Sequence, residues 1–386
     1  MNYGKQFIDE DDIASVIEVL KSDFLTQGPK VELFESKISD FVNSKFAIAV
    51  NSASSALHIA CLAIGLKKND IFWTVPNTFV ASANCGIHCG AKVDFVDIDY
   101  QTLNISILSL EEKLIHASKN NSLPKVLITV HFAGQPTMQE EIFNLSKKYN
   151  FKIIEDASHS LGALREGEKV GSCKWSDISV FSFHPVKMIT TAEGGMAVTN
   201  DISLADKMKS LRTHGIVREE NVMNRKNQPS FYYEQQHLGF NYRMNDISAA
   251  LGISQLQKIE KFVQKRNYLA NFYDDQFEDL PFKSQKIIEN TLSSYHLYVI
   301  TLDRNYLKIH SRNELYEKLL NQGIKTNLHY LPVHLHPFYK SMGFDDGHFP
   351  VSENYANSSL SIPLYYSMTE SDQEKVIKTF RKIFND

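Results

Sequence analysis

The sequence predicts an α/β fold in which helices cover both faces of a largely parallel sheet. The chain has 386 residues, which at ordinary domain sizes suggests two packed domains. From residue 46 to about residue 200, short β-rich segments alternate with segments that carry apolar residues at helical spacing. Such alternation is typical of crossover connections between parallel strands, so we expect three layers, helix on sheet on helix.

The elements of this first unit follow in order along the chain. Seven short β-rich segments are expected to be strands: Phe46–Val50, Ile71–Val75, Lys92–Val96, Lys125–Val130, Lys152–Ile154, Ile178–Phe183 and Met196–Val198. Three intervening segments have the apolar spacing of helices that cover a sheet: Ser54–Ile64, Ser82–Cys89 and Glu140–Lys148. In parallel sheets of this kind, ligands bind at the carboxyl ends of the strands.

A second unit follows the first without a strong linker. A long amphipathic stretch runs from Asp246 to about Gln276, after which Tyr295–Thr301 has a strand-like pattern and Arg312–Asn321 a helical one. We therefore expect a large domain over residues 1–245 and a smaller C-terminal α+β domain over residues 246–386.

Composition and charge argue against several classes of protein. The 41 Lys and Arg residues are outnumbered by 45 Asp and Glu residues, so the chain lacks the cationic excess that binding to nucleic acid needs. The acidic run from Asp9 to Asp12 is unlike a signal peptide, and no apolar segment reaches the length of a membrane span. We expect no nucleic-acid partner, no membrane association and a cytoplasmic location.

The cysteines and the common motifs narrow the chemistry further. Four cysteines in a chain of this length are too few and too scattered for a disulfide framework. Cys85 and Cys89 flank His88, but they lie in a helical apolar pattern and lack a second ligand pair, so no metal is expected. The Walker A, G-x-G-x-x-G, H-E-x-x-H and G-x-S-x-G motifs are all missing from the sequence.

Two segments point to an anion and to a positioned carboxylate. The segment Asn51–Leu57 follows a strand and opens a helix, so its N-terminal amides could bind an anion, although an ordinary serine N-cap explains it equally well. Asp156 comes just beyond the apolar strand Phe151–Ile154. It is either another N-cap or a carboxylate that keeps a pyridine nitrogen protonated.

A lysine completes the set. Lys187 lies between a strand and Gly194-Gly195 in an apolar context. It is either a solvated loop lysine or a desolvated amine whose lowered pKa lets it bond to a carbonyl carbon. An anion site, an aspartate and a lysine in this order match the phosphate, the pyridine nitrogen and the aldehyde of pyridoxal 5′-phosphate.

The chain resembles the DegT/StrS type of sugar-nucleotide aminotransferases nearly from end to end. The segments that carry the resemblance are Leu25–Pro29, Asn51–Leu57, Pro76–Ala81, Glu155–His159, Phe181–Lys187, Gly239–Met244 and His329–His334. The resemblance implies the aspartate-aminotransferase fold, fold type I of the pyridoxal phosphate enzymes, with a three-layer α/β/α large domain.

The resemblance also implies a role for each cofactor-binding residue. Lys187 would form the Schiff base with the cofactor and move the proton between the amino donor, the cofactor and C4 of the sugar. Asp156 would pair with the pyridine nitrogen, His159 would lie near the phenolic oxygen or the ring face, and Phe79 would stack on the other face.

The phosphate and the substrate have their own implied residues. The phosphate would be held by Ala53, Ser54 and Ser182, with Asn241 reaching in from a neighbouring subunit, so that a homodimer shares its active sites. Substrate contacts are implied for Thr26, Gln27, Arg243, His329, Tyr330 and His334. A structural role is equally consistent for the last three, and Arg243 could instead brace the dimer interface.

The substrate follows from a narrower resemblance. The segments Phe181–Lys187, Ile189–Gly195 and Thr213–Ile216 are most similar to aminotransferases of the pseudaminic acid pathway. These transfer the amino group of L-glutamate to C4 of UDP-2-acetamido-2,6-dideoxy-β-L-arabino-hexos-4-ulose. The alternatives are an aminotransferase for another nucleotide 4-keto-6-deoxy sugar, of the bacillosamine or perosamine type, and a non-catalytic regulatory relative. A sugar 3-dehydratase of this fold would have His in place of Lys187.

Overall fold

The computed structural model describes residues 1–385. The strands of its first part are β1 (Phe46–Val50), β2 (Ile71–Thr74), β3 (Lys92–Phe95), β4 (Val126–Val130), β5 (Lys152–Asp156), β6 (Leu164–Arg165), β7 (Glu168–Lys169), β8 (Ile178–Ser182), β9 (Gly195–Thr199), β10 (Ile216–Val217) and β11 (Glu234–Gln235). Its helices are α1 (Glu10–Leu20), α2 (Pro29–Val42), α3 (Ala53–Ile64), α4 (Ala81–His88), α5 (Ile107–Lys119), α6 (Gln139–Tyr149), α7 (Ile202–Arg212) and α8 (Asp246–Leu256).

The central sheet has seven strands in the order β1-β9-β8-β5-β4-β2-β3. The pairs from β8 through β5, β4 and β2 to β3 are parallel, whereas β9 runs antiparallel to both β8 and β1. The reversal arises because β8 and β9 are joined by the loop 183–194 and not by a crossover helix. The expected largely parallel sheet therefore contains one reversed strand, β9.

Helices cover both faces of this sheet, as the apolar pattern predicts. Alternate residues of β8 show the two faces, since Phe181 packs with Phe34 of α2 while Val180 packs with Ile59 of α3. Buried side chains of α5 and α6 extend the first face, and those of α7 extend the second. The three layers are thus held together by two apolar cores, one on each side of the sheet.

The second part of the chain contains α9 (Ile259–Gln276), β12 (Phe282–Ser284), β13 (Thr291–Leu292), β14 (Tyr298–Leu302), α10 (Arg304–Leu307), α11 (Arg312–Asn321), α12 (Pro337–Lys340), α13 (Pro350–Ser358), β15 (Ser359–Ile362) and α14 (Glu370–Asn385). Strands β12, β14 and β15 form an antiparallel sheet over an apolar core of their own. Two short segments of this part, β13 and the stretch around Ser294, contact the first part through β6 and Gly134.

The amphipathic stretch from Asp246 consists of two helices, because α8 ends at Leu256 and α9 begins at Ile259. Lys258, at the break, forms ion pairs with Asp9 and Asp12 at the start of α1. Helix α8 packs against α1 and α2, while α9 contacts α14. The division into residues 1–245 and 246–386 stays a prediction. Within residues 1–385, no helix is both long and apolar enough to cross a membrane.

Candidate active site

Asp156 stands at the carboxyl edge of the central sheet. It is the last residue of β5, in register with Val130 and Val180, and so belongs to the strand that was expected to end at Ile154. Its Oδ2 accepts a hydrogen bond from Ser82 Oγ at 2.6 Å, and its Oδ1 accepts one from the backbone N–H of Ser158 at 3.1 Å. The buried carboxylate is therefore held in one orientation by two donors.

Lys187 lies on the loop 183–194, whose two ends are joined by a hydrogen bond from Phe183 N–H to the Gly194 carbonyl at 3.0 Å. The side chain is half-buried, and its Nζ is 3.5 Å from Nε2 of His296. Burial lowers the pKa of Lys187 to about 8, although the negative charge of Asp156 acts in the opposite direction. A nucleophilic neutral amine is therefore accessible close to neutral pH.

His159 is a buried, neutral imidazole beside this lysine. Its Nδ1 accepts a hydrogen bond from the backbone N–H of Ala133 at 3.3 Å, which places the ring proton on Nε2. Nε2 lies 3.1 Å from the phenol oxygen of Tyr330 and donates to it. Burial, together with the nearby charge of Lys187, holds the pKa of His159 well below its ordinary value.

Two further buried histidines lie in this part of the site, and one of them, His296, contacts the amine of Lys187. The ring of His296 lies 4.4 Å from that of His159, and burial and Lys187 hold the pKa of His296 well below its ordinary value. His329 Nδ1 is 2.8 Å from Ser361 Oγ, and burial lowers the pKa of His329 to about 3. All three rings are therefore uncharged near pH 7, so the pocket adds no cationic imidazole beside Lys187.

The N-terminus of α3 forms a second part of the site. Ser52 is the N-cap, and its Oγ accepts from Ser55 N–H at 3.1 Å. The N–H groups of Ala53 and Ser54 belong to the first turn, which has no intrahelical acceptors. Helix N-termini of this kind bind phosphate.

A glycine brings Ser182 close to this turn. Ser182 is paired in register with Gly195 of β9, and a Cβ on Gly195 would lie 2.5 Å from the nitrogen of Ala53. Only a residue without a side chain permits that approach of the helix to the sheet. The structure thus brings together the three residues of this chain that the sequence predicts to hold the phosphate, namely Ala53, Ser54 and Ser182.

Asn241 and Arg243 lie on an extended segment beside the same turn. The backbone N–H of Asn51 donates to the Tyr242 carbonyl at 2.8 Å, and Arg243 forms a β-bridge with Val50. Asn241 is exposed and Arg243 is half-buried. The contribution of Asn241 to a neighbouring subunit stays a prediction, and exposure is what such a contact requires.

Thr26 and Gln27 form an exposed turn before α2. Thr26 bridges Asn245, and buried Asp246 accepts the N–H groups of Gly28 and Lys30 at 2.9 Å each. This turn is therefore anchored next to the segment that carries Arg243, and the role of its two exposed side chains in substrate binding stays a prediction.

The remaining predicted residues occupy different surroundings. The Phe79 side chain is 57% exposed, with its ring centroid 6.2 Å from that of Tyr330, so it is free to stack on a ligand. His334 is fully buried, with Nε2 3.0 Å from Glu353 Oε1 and its ring against Phe349. Its contacts favour the structural role that the sequence left open, because no surface of this ring is left for a substrate.

The family model for the DegT/DnrJ/EryC1/StrS aminotransferase family matches residues 6–381. The chain belongs to this aminotransferase family. Among curated relatives, the UDP-4-amino-4,6-dideoxy-N-acetyl-beta-L-altrosamine transaminase of Campylobacter jejuni is 41% identical over 384 residues, which are 99% of this chain and 97% of the relative. An uncharacterized protein of Methanocaldococcus jannaschii is 38% identical over 98% of this chain and 96% of its own length.

Solved structures agree with this assignment. Helicobacter pylori PseC, an aminotransferase of pseudaminic acid biosynthesis, matches with a TM-score of 0.90 and 32% identity over 99% of this chain and 98% of its own. Spr1654 of Streptococcus pneumoniae in its PLP form matches with a TM-score of 0.88 and 25% identity over 100% and 98% of the two chains. The predicted aminotransferase activity and fold type I architecture are confirmed, and the predicted cofactor, pyridoxal phosphate, is confirmed with the family.

The residues of this aminotransferase fit that cofactor. The turn at Ala53 offers unpaired N–H groups to a phosphate, and the buried carboxylate of Asp156 suits a pyridine nitrogen. In addition, the buried atoms Nδ2 of Asn77 and Nδ1 of His296 have no hydrogen-bond partner within residues 1–385. The His296 ring lies beside Lys187, and an unpartnered buried polar atom next to a lysine with a lowered pKa is typical of a site that is completed by a ligand.

Three residues of the aminotransferase site were missed by sequence reasoning. Ser82 orients Asp156, Asn77 Oδ1 accepts the Tyr330 N–H at 3.2 Å, and His296 faces Lys187. Asn77 lies inside Pro76–Ala81, one of the segments that carry the family resemblance. His296 is a polar residue inside the apolar, strand-like segment Tyr295–Thr301. These two positions were the signals that the sequence offered. For Ser82 no local signal exists, because its partner is distant in the sequence.

Proposed function

We propose that this aminotransferase transfers the amino group of L-glutamate to C4 of UDP-2-acetamido-2,6-dideoxy-β-L-arabino-hexos-4-ulose. The products are 2-oxoglutarate and UDP-4-amino-4,6-dideoxy-N-acetyl-β-L-altrosamine, an intermediate of pseudaminic acid synthesis. The observation that supports this substrate is the 41% identity, over nearly the whole chain, to a relative named for that activity. A cytoplasmic location stays a prediction.

Lys187 supplies the base that transfers the proton. When bound, pyridoxal phosphate supplies an aldehyde that accepts the amino group and a ring that accepts the electron pair released when a proton leaves. Because the pKa of Lys187 is about 8, its Nζ can take the proton from Cα of glutamate and later deliver one to C4 of the sugar. The adjacent neutral rings of His159 and His296 do not compete for that proton, since their pKa values are held well below the ordinary range.

Asp156 and α3 position the cofactor for this proton transfer. Asp156, fixed by Ser82 and Ser158, keeps the ring nitrogen protonated, and the N-terminal turn of α3 binds the phosphate. Tyr330 and Phe79 form another part of the pocket wall and shield the reacting atoms from water. Thr26, Gln27, Arg243 and His329 are assigned to the sugar nucleotide, and Asn241 to the phosphate site of a partner subunit in a homodimer.

The catalytic role is tested with Lys187→Ala. We expect loss of turnover, because no other amine replaces Nζ, while the unfolding temperature stays close to that of the wild type since the side chain is only half-buried on a loop. The matched control is Lys174→Ala, which removes an exposed lysine paired with Glu168 and should keep full activity. Full activity of Lys187→Ala would rule out the mechanism.

The substrate is tested separately by NMR of the products. The enzyme, with glutamate and pyridoxal phosphate, is given the L-arabino 4-keto sugar and its C5 epimer, the D-xylo 4-keto sugar, in parallel. Turnover of the L-arabino epimer alone, with the new amine in the altrosamine configuration, supports the proposal. Turnover of the D-xylo epimer alone would contradict the substrate and support a bacillosamine-type aminotransferase, while leaving the role of Lys187 intact.

A further inference from the structure

The carboxylate of Asp156 lies at the end of a chain of two hydroxyl groups that begins in the loop before α4. Ser82 Oγ lies 2.6 Å from Asp156 Oδ2, and Thr78 Oγ1 lies 2.8 Å from Ser82 Oγ. Both hydroxyl-bearing side chains are buried, so these contacts are shielded from competing water. The short segment 78–82 is thus connected to a carboxylate that lies 74 residues beyond Ser82 in the sequence.

The direction of the two hydrogen bonds follows from the chemistry of the three groups. An ionised carboxylate has no proton and can only accept, so the single hydroxyl proton of Ser82 is donated to Asp156. Ser82 Oγ must then accept from the Thr78 hydroxyl group. Within residues 1–385, Thr78 Oγ1 has no other hydrogen-bond partner. The chain therefore runs in one direction, from Thr78 through Ser82 to Asp156.

A chain with this direction stabilises the negative charge of Asp156. A hydroxyl group that accepts a hydrogen bond donates more strongly, and donation to a carboxylate favours its charged form. The backbone N–H of Ser158 donates to the other carboxylate oxygen at 3.1 Å and acts in the same sense. A carboxylate stabilised in this way has a reduced affinity for protons, so a proton that it shares with a pyridine nitrogen stays on the nitrogen. The protonated ring is the stronger electron acceptor.

We propose that Thr78 is a positioning residue of this aminotransferase, which acts through Ser82 to keep the Asp156 carboxylate charged and the ring nitrogen of the cofactor protonated. The next residue, Phe79, has an exposed ring that is expected to stack on the cofactor. One loop thus serves both the face of the cofactor ring and its protonation. The role of Thr78 rests on the proposed pairing of Asp156 with the ring nitrogen, but it does not depend on which sugar is the substrate.

Nitrogen-15 NMR tests this role on protein loaded with pyridoxal phosphate that is labelled at the ring nitrogen, without any substrate. A protonated pyridine nitrogen resonates far upfield of an unprotonated one, so the signal reports where the proton lies. We expect the wild-type signal at the protonated position and a downfield movement in Ser82→Ala. Thr78→Val should move the signal in the same direction by less, because Ser82 still donates but no longer accepts. Thr78→Ser keeps the hydroxyl group and should restore the wild-type signal.

The half-reaction with L-glutamate alone gives a second readout, followed by the absorbance of the bound cofactor. The maximal rate should fall about tenfold or more in Ser82→Ala, as expected for the loss of one hydrogen bond to a charged group, and by less in Thr78→Val. The glutamate concentration that gives half the maximal rate should change little, because both hydroxyl groups are buried away from the amino donor. No sugar is present, so a wrong sugar assignment would leave both readouts unchanged.

Thr129→Val is the matched control. Thr129 is as deeply buried as Thr78, and its Oγ1 has no hydrogen-bond partner in the part of the chain that the structure describes, residues 1–385. The substitution removes a buried threonine hydroxyl group outside the chain to Asp156. It should change neither the nitrogen-15 signal nor the rate of the half-reaction.

Several outcomes would overturn the role of Thr78. These are a wild-type signal position in both Ser82→Ala and Thr78→Val, an equal movement in Thr129→Val, and a Thr78→Ser signal that coincides with that of Thr78→Val. An unprotonated ring nitrogen in the wild type would instead contradict the pairing with Asp156 itself. If Ser82→Ala does not fold, the comparison of Thr78→Val with Thr78→Ser decides, because only the first of these interrupts the chain.

Discussion

The amine of Lys187 should titrate more than two pH units below an ordinary lysine. Burial lowers its pKa to about 8. At pH 7 such an amine is about one-tenth neutral, whereas a lysine with an ordinary pKa of about 10.4 is neutral in about one molecule in 2,500. Because only the neutral amine attacks an aldehyde, cofactor-free protein should react with pyridoxal phosphate about 200-fold faster at pH 7 than an ordinary lysine of equal access and nucleophilicity would.

The assay follows the absorbance change as cofactor-free protein combines with pyridoxal phosphate at a series of pH values. Each rate is divided by the rate of Nα-acetyl-lysine per neutral amine at the same pH, which removes the titration of the cofactor itself and keeps that of Lys187. The protein rate should rise with pH and level off with a midpoint near 8. A midpoint above about 10, as for a solvated lysine, would refute the argument that burial prepares this amine.

A charge substitution tests independently the direction in which Asp156 shifts the pKa of Lys187. The carboxylate of Asp156 raises the pKa of Lys187, so Asp156→Asn should move the midpoint to lower pH. Asp177→Asn is the matched control, because Asp177 pairs with Lys152 at the opposite end of β5. An upward movement in Asp156→Asn, or an equal movement in both variants, would contradict the assigned interaction.

Three further predictions concern the phosphate-binding turn at Ala53, the pH dependence of stability and the stacking of Phe79 on the cofactor. Gly195→Ala places a Cβ 2.5 Å from Ala53 N, so we expect weaker pyridoxal phosphate binding and a loss of about 1–3 kcal/mol in unfolding free energy, while Gly4→Ala, with contacts no closer than 3.7 Å, should leave both unchanged. Since the pKa of His329 falls to about 3, the unfolded chain takes up this proton first as pH falls below 6.5. From pH 7 to pH 5 the wild type should therefore lose about 2 kcal/mol more stability to urea than His329→Asn, and equal losses would refute this. Phe79→Ala should weaken cofactor binding in equilibrium titrations and change the unfolding free energy of cofactor-free protein by less than about 1 kcal/mol, because the ring is exposed; unchanged affinity would remove Phe79 from the site.

The strands of the large sheet were predictable because each is a short apolar segment bounded by turns. β1 has the predicted bounds, and the other six strands differ from theirs by a few residues at most. The reversal of β9 was not predictable, since the apolar pattern of a strand is the same in either direction. Its direction depends on the loop 183–194, whose closed base is a tertiary feature. The ion pairs of Lys258, at the break between α8 and α9, were likewise not predictable, because Asp9 and Asp12 are distant in the sequence.

The candidate site was predictable where its reactive or ligand-binding residues lie beside the end of a strand. Asp156 ends a strand, and Lys187 and the Ala53 turn each follow one, so their position at one edge of the sheet follows from topology. His296 was missed because a buried histidine within an apolar segment resembles a core residue. The surroundings of His334 were equally invisible, since Glu353 and Phe349 reach it through the fold and not through neighbouring positions in the chain.

The pocket around Lys187 also bears on how the protein folds. Its wall combines Asn77 and Asp156 from the first half of the chain with His296 and Tyr330 from the last third. Contacts of such large sequence separation form late, because the intervening chain must first be ordered. A nascent chain of residues 1–245 contains every strand of the central sheet but neither His296 nor Tyr330. Tight uptake of the cofactor should therefore report completion of the chain.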